Sequence, residues 1–325
     1  MDNTLLVATG QGLILGELNG GSWRERGRGL AGRQVTSVIA REGVILAGTT
    51  DGVFRSDDGG ESWREVSQGL ALRHVRWMAY HPDISDLEFV GTEPAGIFVS
   101  RDGAASWRAC PEVAELRDEF GWYLPYSPEA GCVRGFAFHG RRAYAAVEVG
   151  GVLRSDDGGE TWRLADGSTG IPSFDDVPER YVASDVHSVE SHPSSPDLAL
   201  AATHDGLFRS RDGGATWEHV YQDAYCRALW VDSRNADHII LGPSTPEGWH
   251  GRIEETRDGG RTWRAAASGF EIPPHTLVER FAQVDDELFA VLSDGQLIAA
   301  PLSTLEWRRI LPQIVDAEAV AVLRG

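Results

Sequence analysis

Residues 56–63 read SDDGGESW, and the phrase returns as SRDGAASW from 100, SDDGGETW from 155, SRDGGATW from 210 and TRDGGRTW from 256. A phrase written five times is either a reactive site repeated or a turn repeated. Its glycines permit positive φ, and its Asp can accept hydrogen bonds from its own turn backbone. The Ser or Thr before Trp can close the turn, and the Trp can pack between sheets. Five separate active sites on one rim would be redundant, so Asp58, Asp102, Asp157, Asp212 and Asp258 are read as turn residues.

The tryptophans carry the period further. Trp23, Trp63, Trp107, Trp162, Trp217, Trp263 and Trp307 follow one another at 40, 44, 55, 55, 46 and 44 residues. Self-similarity at this spacing marks a stacked supersecondary unit. Each unit reads as four short strands. VTSVIA, VRWMAY, VRGFAF, VHSVES and CRALWV come first, and VILAGTT, LEFVGTE, AYAAVEV and LALAATH second. GVFRS, GIFVS, GVLRS and GLFRS come third, and the Trp opens the fourth. β-Branched and aromatic runs between Gly/Asp turns fit antiparallel strands. Seven such units predict an all-β, seven-bladed β-propeller of four-stranded antiparallel blades, a single domain over 1–325. The first unit lacks its first strand, and DAEAVAVLRG at the C-terminus supplies it. The C-terminal strand is therefore expected to complete blade 1 and close the ring, which removes two exposed sheet edges.

The pattern S-x-D-x-G-x-[ST]-W resembles the Asp-box, or BNR repeat, of sialidase-like, sortilin-like and photosystem II assembly factor-like propellers. Three copies depart from it: Ala104 replaces a glycine, Asn19 stands in a shortened ELNGGSW, and PLSTLEW before Trp307 has lost the acid. The resemblance implies the propeller fold and leaves activity open.

Composition narrows the function. A formal net charge of −19 disfavours a nucleic-acid partner, which needs a basic stripe. No apolar run is long enough to span a bilayer, so no membrane partner is expected. Cys110, Cys132 and Cys226 are odd in number and lack metal-ligand spacing. With an N-terminus MDNTLLVATG that lacks a basic leader, they lead us to expect a reduced, cytoplasmic protein.

Strand direction places the Asp-box turns on one face. The insertions at 110–131, 166–185 and 242–252 all fall on the other, where long loops often carry function. On that face, aligned first strands begin with Thr36, Arg76, Arg134, His187, Arg227, Glu279 and Glu318, polar in every blade. Ends of second strands add Glu93 and Glu148. One reading makes these ion pairs: Arg76 with Glu93, Arg134 with Glu148 and Arg227 with Glu279. The other makes Arg76, Arg134 and Arg227 a clamp for an anionic small molecule or sugar acid, because arginines bind carboxylates bidentately. Glu93 or Glu148 would then be general acid or base with His187 as partner, in a hydrolase- or lyase-like reaction. His204, His250, Trp122 and Tyr181 are further candidate ligand contacts. Without H-x-H or H-E-x-x-H no metal or cofactor is expected; His187, His204 and His250 are the residues that could share one. His81, His139 and His192 occupy one repeat position on the Asp-box face and are read as structural. Three arginines on a carboxylate also resemble sialidases. The N-terminal Arg-Ile-Pro is missing, however, and sialidases of this type usually have six blades. The alternative is a non-catalytic assembly or scaffold propeller that holds a protein partner on the same face.

Overall fold

The computed structural model describes residues 3–127, 130–175 and 177–324. They form seven four-stranded antiparallel sheets. The first strands, on the inner side of the ring, are Val35–Arg41, Val75–Tyr80, Cys132–His139, Val186–His192, Tyr225–Asp232 and Val278–Val284 in blades 2 to 7. In blade 1 the same place is taken by Ala317–Leu323, paired antiparallel with Thr4–Thr9 in the register Leu6↔Ala321. The chain ends thus share one sheet, as the missing first strand of the N-terminal unit requires.

The apolar core is divided among the seams. One cluster fills each of the seven junctions between neighbouring blades, such as Phe89 and Ile97 of blade 3 against Val133 and Trp162 of blade 4. The repeated Trp belongs to these seams: Trp107 Nε1 donates to Val66 O at 2.8 Å, and Trp307 Nε1 to Ala266 O at 2.8 Å.

The repeated phrase folds as a closed turn. In blade 4, Ser155 Oγ donates to Asp157 Oδ1 at 2.8 Å and accepts from Gly159 N at 2.9 Å. Thr161 gives both its amide and its hydroxyl to the same carboxylate, at 3.0 and 2.6 Å. The other four copies repeat this network, including SRDGAASW, where Ala104 adopts φ 63° in the place of glycine. Burial opposes ionisation of Asp157, but the bonds from Thr161 and Ser155 hold its carboxyl below its ordinary value. At Asp58 and Asp258, bonds from Ser62 and Thr262 bring it down to about 2. We expect Asp157→Ala to cost about 1–3 kcal/mol, for turn donors left unpaired, while ligand binding per folded molecule is kept. A carboxyl lowered on folding stabilises above its unfolded value and loses that contribution as pH falls. The deficit in melting temperature should therefore shrink below pH 4. A deficit independent of pH, or lost binding at unchanged stability, would count against the turn reading.

Histidines on the Asp-box face tie blade to blade. His81 Nε2 lies 2.9 Å from Gly140 O, His139 Nε2 3.0 Å from Pro193 O, and His192 Nε2 3.0 Å from Asp232 O. The structural reading of this position holds.

The opposite face contains a surprise. Residues Pro111–Phe120, within the insertion 110–131, form a helix that Gly121 ends in the left-handed conformation. Val113, Leu116 and Phe120 press it onto the seam between blades 3 and 4.

Candidate functional site

Three second strands carry a glycine near their end, Gly48, Gly91 and Gly242. A Cβ there would stand 2.4, 2.6 and 2.7 Å from Val75, Val133 and Val278 of the next blade, so only glycine lets those valines seat. The residue after each valine is Arg76, Arg134 or Glu279. The strand register slips at that residue, between Val75 and Trp77, Val133 and Gly135, and Val278 and Arg280. The same slip occurs in the other four blades, at Thr36, His187, Arg227 and Glu318. All seven aligned positions are therefore the extra residue of a β-bulge. A bulge leaves its residue out of the ladder and re-aims its side chain. Here six of the seven bulge residues, all but His187, line a cavity at the channel mouth.

Six of these seven side chains are ionisable, and most are paired. Arg134, only 7% exposed, holds Glu148 Oε2 at 3.1 Å and reaches across the ring to Glu279 Oε2 at 3.3 Å. Arg227 Nη1 takes both oxygens of Glu279 at 2.8 and 2.9 Å, and its Nε donates to Tyr225 Oη at 2.9 Å. Arg76 Nε stands 3.5 Å from Glu93 Oε2. Thus the three ion pairs of the first reading are present. Burial disfavours charge on Glu148, but Arg134 overcomes it and holds the carboxyl well below the usual range. Glu279 is likewise lowered against burial, by Arg227 and Arg134. Burial pushes Glu318 up.

Arg76, Arg134 and Arg227 line one cavity of about 330 Å³, together with Glu279, Arg280 and Glu318. Its wall is built by 291–295 and 315–318, from blades 7 and 1. None of the described residues of the loops 110–131 and 166–185 lines it. The loop 110–131 instead reaches the carboxylates behind the arginines: Tyr126 Oη donates to Glu148 Oε1 at 2.6 Å and Ser127 Oγ to Glu93 Oε1 at 2.8 Å. Neither Glu93 nor Glu148 lines the cavity, nor does His187, whose side chain is fully buried.

The other candidates are dispersed. Trp122 is buried, and its Nε1 donates to Gly170 O at 2.8 Å, so it fastens one long loop to the other rather than meeting a ligand. Tyr181 is exposed on the loop 166–185, and His250 lies in the turn before Ile253 at φ 52°; neither lines the cavity. His204 is edge-on to Phe174, and burial lowers its imidazole. His187, His204 and His250 do not form one ligand set among the described residues; the group that gathers around His187 is Glu148 and Asp185.

Two residues of the mouth escaped the sequence reading. At the position after the bulge most blades carry a small residue, namely Ser37, Gly135, Ser188, Ala228 and Ala319. Blades 3 and 7 carry Trp77 and Arg280, on opposite sides of the ring, and the Arg280 guanidinium lies 4.4 Å from the centre of the Trp77 ring. Arg280 has no ion pair among the described residues. Burial, with Arg134 nearby, brings it down to about 10, so it stays charged at neutral pH. Beneath it a second cavity, lined by Ser37, Trp77 and Ala319, opens into the channel, so Arg280 and Trp77 divide mouth from channel.

Fold and repeat together define the class: the chain is a seven-bladed β-propeller of the Asp-box type. A model of the BNR/Asp-box repeat matches residues 153–164, the blade 4 copy. No curated protein sequence matches the chain. Among solved structures it is similar to an ancestral GH74 enzyme, with TM-score 0.61 and 17% identity over 89% of this chain and 38% of that one. The chain thus spans well under half of that enzyme's length. It is also similar to YCF48 bound to D1 peptide, with TM-score 0.60 and 14% identity over 89% and 85% of the two chains. A putative 6-phosphogluconolactonase from Bacteroides uniformis gives TM-score 0.63 and 13% identity over 99% of each chain. At such identities the likeness is one of fold.

Proposed function

We propose that the chain is a binding protein for a small anionic molecule, a carboxylate or sugar acid, taken into the mouth between Arg280 and Arg76. The carrying observation is Arg280: a partly buried guanidinium on a cavity wall, stacked on Trp77, with no ion pair among the described residues. Glu279 and Glu318 act on Arg280 only from beyond ion-pair distance, so a bound carboxylate would supply a close counter-charge in a fork geometry that arginine matches. Catalysis by Glu148 is not part of this reading. A carboxyl held so far below its usual range gives up no proton near neutral pH and is a weak base. The YCF48 structure with its peptide supports a second reading, in which the carboxylate belongs to the acidic tail or C-terminus of a protein partner.

The test is calorimetric titration of small dicarboxylates, sugar acids and acidic peptides into the parent and Arg280→Met. Methionine keeps the contact with Trp77 and removes the charge. Binding should weaken roughly 10- to 150-fold, the worth of about 1.5–3 kcal/mol for a charge-assisted bond. The variant's melting temperature should not fall, because no ion pair is broken. Equal affinity in parent and variant would sink the proposal, and binding of peptides alone would favour the partner reading.

A further inference from the structure

Behind the arginines lies a second, drier cluster. Ligand atoms of Glu148, Asp185 and His187 all stand within 4.8 Å of one another, and all three residues are buried. We propose that these three side chains form a binding site for a divalent transition-metal cation, such as Zn²⁺ or Mn²⁺.

Unmet polar atoms point the same way. Asp185 Oδ1 and both ring nitrogens of His187 are buried without a hydrogen-bond partner among the described residues. The approach of His187 Nε2 to Asp185 Oδ2, at 3.3 Å, is an ion pair only if the imidazole is protonated. Native interiors seldom leave such groups unsatisfied, and an unpaired buried carboxylate is especially costly. The ion pairs agree. Arg134 holds Glu148 and Glu279, and Arg227 holds Glu279, whereas the contact of Asp185 is with His187. Asp185 is the one without an arginine.

The donor set suits the cation. Two carboxylate oxygens and one imidazole nitrogen are ligands that Zn²⁺ and Mn²⁺ share. Glu148 Oε1 accepts from Tyr126 Oη, and a carboxylate oxygen has a second lone pair to give. The surroundings hold the ligands in place, as outer shells of metal sites do. Arg134 and Tyr126 fix Glu148, and the Tyr225 ring lies 4.8 Å from that of His187. The bulge at His187 and the blade-to-blade loop ending at Asp185 bring these two together. Glu148 comes from the end of the neighbouring blade's second strand. The proposal does not depend on the anion reading, since none of the three ligands lines the mouth cavity.

The experiment is titration of chelator-treated, full-length protein with Zn²⁺ and with Mn²⁺, followed by calorimetry and thermal melting. The expected result is one cation per chain and a raised melting temperature. Asp185→Asn should weaken binding at least tenfold, while His275→Gln, an exposed histidine elsewhere, should bind as the parent does. Should Asp185→Asn fold poorly, His187→Gln and the visible spectrum of the Co²⁺-loaded parent carry the test. A ligand-field band that the variant lacks is expected. A parent that takes up no stoichiometric cation overturns the proposal, as does equal uptake by the parent and the Asp185 or His187 variant.

Discussion

Deletion of residues 315–325 should leave a chain that aggregates, or melts far below the parent. The segment contains the innermost strand of blade 1, Ala317–Leu323. It also fills two seams: Ala317 and Val320 pack between blades 7 and 1, and Ala319 between blades 1 and 2. Without it, Thr4–Thr9, buried along its whole length, becomes an edge with unpaired amides and carbonyls. Exposed, flat, apolar edges recruit other chains. A loss that reaches two seams and a whole strand pairing is comparable with a domain's entire stability, about 5–15 kcal/mol. Size-exclusion chromatography and a melting curve check it. A monomeric truncated chain with unchanged melting would mean that the ring is not held by this strand.

Arg134→Ala should be the most damaging single substitution at the mouth, lowering stability by about 3–5 kcal/mol, the usual cost of stranding a buried charge. Arg134 is the only described residue bridging Glu148 and Glu279, and its loss leaves Glu148 without an arginine. Arg227 still serves Glu279. Adding Glu148→Gln should recover part of the loss, because the stranded charge is then gone. The sign of the pH dependence follows. In the parent, both carboxyls sit below 4.5 on folding, so their stabilisation is present above that pH and fades as pH falls. In the variant Glu148 prefers to be protonated, so the gap between parent and variant should narrow on acidification. Melting curves from pH 8 to pH 4 measure it. A gap of less than about 1 kcal/mol at pH 8 would mark the bridge as a weak, solvated contact.

These two expectations rest on parts of the molecule that differed in how openly the chain announces them. The blade turn is local chemistry: Ser155, Asp157 and Thr161 satisfy one another within seven residues, so the phrase reads directly as structure. The ring of bulges was legible as an alignment because each follows a strand start that repeats. That these positions are bulges was not visible, since a register slip depends on the paired strand. Contacts across the channel were hidden for the same reason. Arg134 meets Glu279, and Arg280 meets Trp77, only because the ring closes at a given diameter. Arg280 did leave a trace, as a large residue where most blades carry a small one. The helix Pro111–Phe120 was readable and was missed: Pro111 at its start, Gly121 at its end, and Val113, Leu116 and Phe120 on one face. Asp185 escaped because it belongs to a blade-to-blade loop, outside every repeat position.

The most direct measurement is a crystal structure of the parent with the tightest-binding small acid from the titrations. The expected result is a carboxylate within about 3.5 Å of the Arg280 guanidinium, inside the cavity walled by 291–295 and 315–318. An acid bound on the Asp-box face, or between the loops 110–131 and 166–185 with Arg280 untouched, would contradict the account.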